Sequence, residues 1–238
     1  MRALCVLHDA MSSPGLVGDA LREQGWRVDE ITVVPASSHH EPNVAMSFPD
    51  SADYDLLVPV GAPWSAYDDQ RIGRWLAPEL RWLADAVARG GAVLGICFGA
   101  QALARALGGG VRRAETPEIG WVPVDSDVPE VVPAGPWFQW HFDRFAPPPG
   151  AVEIARNSAA SQAYRIGRCL GVQFHPEATA EGIEVWVDNG GAAHARALGI
   201  EPADLLAQAR LLAAEARERA RALVSGYLTT IHCCGQNV

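Results

Sequence analysis

A chain of 238 residues can form one α/β domain with terminal additions around a full core, and its 49% hydrophobic and 20% charged residues are ordinary for a globular protein. The net charge of −9 argues against a generic nucleic-acid binder, and no apolar run approaches the ~20 residues that span a bilayer. All nineteen basic residues are arginines, which removes the lysine of a P-loop, of a Schiff base with a pyridoxal cofactor and of a Ser-Lys dyad. Cysteines at positions 5, 97, 169, 233 and 234 are odd in number and irregular in spacing, which suits a reducing compartment better than a disulfide framework. Met1 to His8 runs directly into Asp9 and lacks the small-residue cleavage site of a secretory signal, so a cytoplasmic protein is expected.

In chain order, Arg2 to His8 is almost wholly apolar, as in a strand buried on both faces of a parallel sheet. Ser13-Pro14 starts a helix through about Gln24, which Gly25 stops, and Arg27 to Val34 reads as a second strand. Pro35 to Asp53 is a polar loop. Its adjacent His39 and His40 point in different directions on any regular element, so they read as solvated loop residues rather than metal ligands. Asp55 to Gly61 is a third strand, opening into a turn from Gly61 to Asp69. Ile72, Trp75, Leu76, Leu80, Leu83 and Val87 then mark an amphipathic helical stretch over residues 71–89, which Pro78 is expected to divide or kink.

Ala92 to Ile96 is an apolar strand that reaches the helical pattern from Gln101 to Gly108 through Gly95-Ile96-Cys97-Phe98-Gly99. A cysteine after an apolar strand is commonly a small buried hydrophobe. An ordinary core cysteine needs no flanking glycines, however, whereas a sharp strand-to-helix corner does. Such a corner presents its central side chain at a helix N-terminus, which favours the thiolate, the nucleophilic form.

Residues 108–150 carry many Gly, Pro and short β patterns and read as an antiparallel β insertion near a sheet edge. Leu170 to Phe174 is a further strand, ending on His175-Pro176-Glu177. Side chains at i and i+2 of an extended segment share a face, and Pro176 keeps the segment extended, so Glu177 can fix the His175 tautomer and stabilise an imidazolium. Cys97, His175 and Glu177 thus form a candidate nucleophile, base and orienter. Two helical regions follow, Glu181 to Ala197 and Pro202 to Ser225. The second has Leu205, Ala209, Leu212, Ala216, Ala220 and Leu223 on one face and packs on the domain or on another copy of the chain. The His232-Cys233-Cys234 tail reads as a frayed end in preference to a metal site.

The run Gly95-x-Cys97-x-Gly99-x-Gln101, together with Gly171-Val172-Gln173-Phe174-His175-Pro176-Glu177, resembles the class I (triad) glutamine amidotransferase domain, most closely stand-alone proteins similar to the amidotransferase half of GMP synthase. The resemblance covers roughly residues 50 to 180. It implies an open, mostly parallel sheet with helices on both faces, flavodoxin-like, with a small antiparallel β insertion. Residues 1–197 would form the amidotransferase domain and residues 198–238 a C-terminal helix and tail packed on it. Strands alternating with helices independently indicate such a sheet, and Gly61, Cys97 and His175 all fall at expected strand C-termini, where its ligands bind.

The resemblance further implies that Gly61 and Phe98 donate the two N–H groups of an oxyanion hole, with Ala62 standing where the family has a second glycine. Gln139-Trp140-His141-Phe142-Asp143 is similar to the family's Ser-His-x-Asp segment. His141 and Asp143, with Gln101, would then help hold the head of bound glutamine; alternatively, His141 and Asp143 are a surface hydrogen-bonded pair. The implied activity is hydrolysis of the glutamine side-chain amide through a cysteinyl γ-glutamyl thioester, without cofactor or metal, with ammonia passed to a synthase on a separate chain. No Ser-Gly-Gly-x-Asp pyrophosphate motif follows, so a fused synthase half is not expected. Two alternatives stand beside it. A γ-glutamyl peptidase would make the same attack with a larger amine as leaving group, and a non-catalytic regulatory subunit would carry the fold alone.

Overall fold

The computed structural model describes residues 1–233, with side chains through residue 231; the His232-Cys233-Cys234 tail therefore lies outside the described side chains. Nine strands form one sheet in the order β2-β1-β3-β4-β9-β8-β7-β5-β6. β1 (Arg2–Leu7), β2 (Arg27–Thr32), β3 (Leu56–Pro59), β4 (Ala92–Ile96) and β9 (Cys169–Val172) are parallel neighbours. β5 (Gly110–Ser126), β6 (Gly135–Ala146), β7 (Val152–Arg156) and β8 (Ser161–Ile166) continue the sheet antiparallel. The antiparallel part is larger than the small insertion expected, because the short β patterns of residues 108–150 join into one long hairpin and β7 and β8 add two more strands between it and β9.

The unbroken burial of β3, β4 and β9 follows from helices on both faces. Alternate residues of the parallel strands divide between two cores. Ala3, Cys5, Val58, Leu94 and Val172 pack with Val17 and Leu21 of α1 (Gly15–Glu23) and with Leu223, Val224 and Tyr227 of α7 (Ala213–Cys233). Leu4, Val6, Leu57 and Val93 pack with Ile72, Trp75 and Leu76 of α2 (Asp69–Ala88) and with Leu103 of α3 (Phe98–Ala106). The period of two along each strand is the physical reason that one set of residues cannot serve both layers.

One of the two alternatives for Pro78 is ruled out, and the two later helical regions are corrected. Pro78 does not divide α2, which runs through it as one 20-residue helix, because Trp75, Leu76 and Leu83 on both sides of the proline are anchored in the same core. The two later regions are each broken. Glu181 to Ala197 becomes α4 (Ala180–Trp186), a wide turn at Val187–Gly191 and α5 (Ala192–Ala197), with Asn189 and Gly190 out of helical geometry. Pro202 to Ser225 becomes α6 (Pro202–Leu211), a break at Leu212, and α7. The break lets two faces serve two surfaces: Leu205 and Ala209 pack on Ile119 and Phe138 of the hairpin, while Leu223 enters the main core. No described helix is long and apolar enough to cross a membrane.

Leu223 is fully buried whereas Leu211 is 80% exposed. Leu223→Ala is therefore expected to destabilise the protein by about 2–5 kcal/mol in denaturant unfolding, and Leu211→Ala by less than ~0.5 kcal/mol. Equal effects would show that α7 is not part of the core.

Candidate active site

Three strand ends build the site. β4 turns into α3 at Cys97, whose φ of 49° and ψ of −106° make it the one non-glycine residue with positive φ among the described residues. Such angles cost on the order of 1–3 kcal/mol and persist only where the surroundings hold them. Here the Cys97 N–H donates to the Val172 carbonyl at 2.8 Å and the Gly99 N–H to the Val60 carbonyl at 3.1 Å, which ties the corner to the chain on either side. The flanking glycines are required by close approach: a Cβ on Gly95 would lie 2.8 Å from the Ala100 backbone, and one on Gly99 2.0 Å from the Pro59 carbonyl oxygen. Cys97, 5% exposed, stands at the N-terminus of α3.

His175 follows β9 by three residues, with its backbone N–H donated to the Phe138 carbonyl at 2.8 Å and its ring edge-on to Trp186 at 5.0 Å. Its Nδ1 pairs with Glu177 Oε1 at 2.7 Å. The other nitrogen, Nε2, is buried and has no conventional hydrogen-bond partner among the described residues. Burial works against the charged ring, but the Glu177 carboxylate and then the neighbouring Cys97 sulfur outweigh it and hold the imidazole pKa well above its usual value. The Glu177 carbonyl accepts from the Leu16 N–H at 3.0 Å, so the first turn of α1 anchors the His-Pro-Glu segment.

Gly61, two residues beyond β3, passes so close to the imidazole that a Cβ there would sit 2.9 Å from His175 Cε1. Among the described residues, no acceptor takes the N–H of Gly61 or of Phe98. Gln101 Nε2 donates to the Asp143 carbonyl at 3.1 Å and to Gln173 Oε1 at 3.4 Å, and Gln173 Nε2 donates to the Cys97 sulfur at 3.7 Å. The Asp143 carboxylate accepts from Ser65 Oγ at 2.6 Å and from the Tyr67 hydroxyl at 3.1 Å. Both ring nitrogens of His141 are occupied, one by the Asp143 carbonyl and one by the Glu118 carboxylate, each at 3.0 Å. His141 and Asp143 are buried and are not a surface pair.

The structure thus brings all eight residues singled out from the sequence to the walls of one cavity of about 560 Å³; Trp64, Arg71, Arg113, Trp186 and His194 line it as well. Sequence reasoning does not single out Gln173, although it lies inside the Gly-Val-Gln-Phe-His-Pro-Glu run that could have pointed to it. Ser65, Tyr67 and Glu118 carry no sequence signal, because their partners lie 23 to 78 residues away. A thiol at a strained corner, beside a carboxylate-oriented imidazole and two unspent backbone N–H groups, is an arrangement suited to acyl transfer.

The family described as glutamine amidotransferase class-I matches residues 16–185. A protein from Sulfurisphaera tokodaii, named as one of the subunits of a glutamine-hydrolysing GMP synthase, is 32% identical over 146 residues, covering 56% of this chain and 74% of that protein. A glutamine-hydrolysing GMP synthase from Nitrosomonas eutropha is 40% identical over 103 residues, 37% of this chain and only 20% of its own length. Among solved structures, a glutamine amidotransferase from Thermotoga maritima superposes with a TM-score of 0.81 at 25% identity, over 96% of this chain and 98% of that one. With the fold and the family match in agreement, the chain belongs to the class-I glutamine amidotransferases.

Proposed function

We propose that this chain hydrolyses the side-chain amide of glutamine through a thioester on Cys97. The reading is carried by one observation, the strained Cys97 corner set beside the His175–Glu177 pair. His175 holds the thiol proton, and the Cys97 thiolate attacks the carboxamide carbon. The negative charge that develops on the carbonyl oxygen is met by the N–H groups of Gly61 and Phe98. The His175 imidazolium, stabilised by Glu177, gives its proton to the departing ammonia, leaving a γ-glutamyl thioester. Water that loses a proton to His175 then cleaves the thioester, releasing glutamate and restoring the thiol. Gln101 and the segment around His141 and Asp143 hold the amino-acid head of the substrate.

The ammonia goes to an acceptor on a separate synthase chain, a reading supported by the relative from S. tokodaii, whose name makes it one part of a synthase built from more than one chain. A reducing, cytoplasmic setting fits the free thiols of Cys5, Cys97 and Cys169. One observation favours a second reading, a γ-glutamyl peptidase: a cavity of about 560 Å³ is in the range that holds drug-sized ligands, more room than glutamine alone fills. Comparing kcat/KM for glutamine with that for γ-glutamyl dipeptides separates the two, a preference for the dipeptides supporting the peptidase.

Cys97→Ser is expected to lower glutamine hydrolysis by at least about 100-fold while leaving the thermal unfolding midpoint nearly unchanged; full activity would overturn the assignment. The imidazolium is the acid for the leaving group, so activity is expected to be lost as pH rises through the raised His175 pKa. Glu177→Gln removes the charge that raises it, so the alkaline limb of the kcat profile should move to lower pH and kcat should fall on the order of 100-fold. An unmoved limb would show that Glu177 does not act on the ring.

A further inference from the structure

A second histidine–carboxylate pair lies directly behind the site. His8 follows β1 and Glu79 lies in α2; both are completely buried, with His8 Nε2 3.0 Å from Glu79 Oε1. The other ring nitrogen, Nδ1, is 3.2 Å from the Gly61 carbonyl oxygen. Both partners are acceptors, so the ring bridges them only when a proton sits on each nitrogen or when Glu79 supplies one. Burial opposes the charged ring, but the Glu79 carboxylate outweighs it and raises the His8 pKa. The ring packs against Trp75 and Phe98, at centroid distances of 5.5 and 4.6 Å.

Stability does not account for this pair. A buried ion pair is commonly no better than apolar groups of the same volume, and here Glu79 Oε2 has no partner among the described residues. Its position suggests another role. The Val60 carbonyl is held by the Gly99 N–H, which fixes the peptide that contains the Gly61 N–H. The next peptide is free to rotate about Gly61, a residue without Cβ, unless its carbonyl is held too. Ser12 Oγ lies 3.5 Å from that carbonyl but is only 2.7 Å from Asp9 Oδ1, to which it donates, so His8 is the strong donor.

We infer that His8, fixed by Glu79, is a positioning residue that pins the Gly61 carbonyl, so that the peptides on both sides of Gly61, whose N–H meets the developing oxyanion, are held. This rests on the oxyanion reading of Gly61 given above. His8 touches no substrate; it acts through one backbone carbonyl.

The test uses a background in which Glu79→Leu removes the buried charge. His8→Asn places an amide N–H where Nδ1 stands and keeps the bond to Gly61, whereas His8→Phe keeps the ring shape and removes the donor. With glutamine or a γ-glutamyl dipeptide as substrate, H8F/E79L is expected to show a kcat roughly 10- to 100-fold below that of H8N/E79L, with KM within about threefold. Alkylation of Cys97 by iodoacetamide needs no oxyanion hole and should proceed at the same rate in both, read by mass spectrometry of the Cys97 peptide. If either double variant does not fold, His8→Asn and His8→Gln carry the comparison, since Gln reaches Glu79 and not Gly61; Asn should then be the more active. Equal kcat values, or an alkylation rate that falls with kcat, would overturn the inference while leaving an active wild type and its assigned chemistry intact. A wild type inert toward every γ-glutamyl amide would overturn the reading of the site, and this inference with it.

Discussion

The closeness of α3 to the strands around it is the constraint from which the site follows. Gly99 lies so near Pro59 that no side chain fits between them, and its N–H reaches the Val60 carbonyl at 3.1 Å. Cys97, bonded through its N–H to Val172, must then turn the chain from strand to helix within one residue, and it does so at a positive φ. The same contacts that force this backbone also aim the sulfur at the crevice and leave the Phe98 N–H unspent. Strain, orientation and anion-binding capacity thus have a single origin in backbone packing.

Around this corner the polar groups are arranged as a chain. Gln173 reaches the sulfur, Gln101 joins Gln173 to the Asp143 carbonyl, and His141 carries the connection to Glu118. Glu118 in turn accepts from Asn157 at 2.7 Å and from Gln162 at 3.0 Å. In so buried a setting each bond is strengthened by low polarity, and each missing partner is correspondingly costly. The effect is to fasten the β5–β6 hairpin to α3 and β9, so that the wall carrying His141 and Asp143 is rigid with respect to Cys97. His8 and Glu79 fasten the opposite wall at Gly61 by the same means.

The third wall comes from the helices after His175. α4 brings Trp186 edge-on to the imidazole, and the wide turn at Val187–Gly191 places Asn189, Gly190 and Gly191 on the cavity. A regular helix through this segment would direct its side chains by the 3.6-residue period; the break replaces them with backbone and small residues beside the site. Gly191 is packed against Trp140, where a Cβ would lie 2.5 Å from the ring, so the turn is locked to the hairpin.

Much of this was legible in the sequence. Apolar strands, the Gly-x-Cys-x-Gly corner and the His-Pro-Glu ending each report a local demand, for burial, for a tight turn or for an extended i, i+2 pair, and local demands leave their mark on neighbouring residues. The parallel half of the sheet and the convergence of Gly61, Cys97 and His175 on one edge of it followed from them. What only the tertiary structure decided is where a residue's role is set by a partner far along the chain. Glu79 finds His8 at a separation of 71 residues, Asp143 finds Ser65 at 78, and Pro78 is accommodated because its helix is anchored on both sides. Glu79 and Ser65 look in the sequence like ordinary exposed polar residues, because nothing in the identity of a side chain says which distant surface will close over it. That depends on how layers meet, and it exists only once they have.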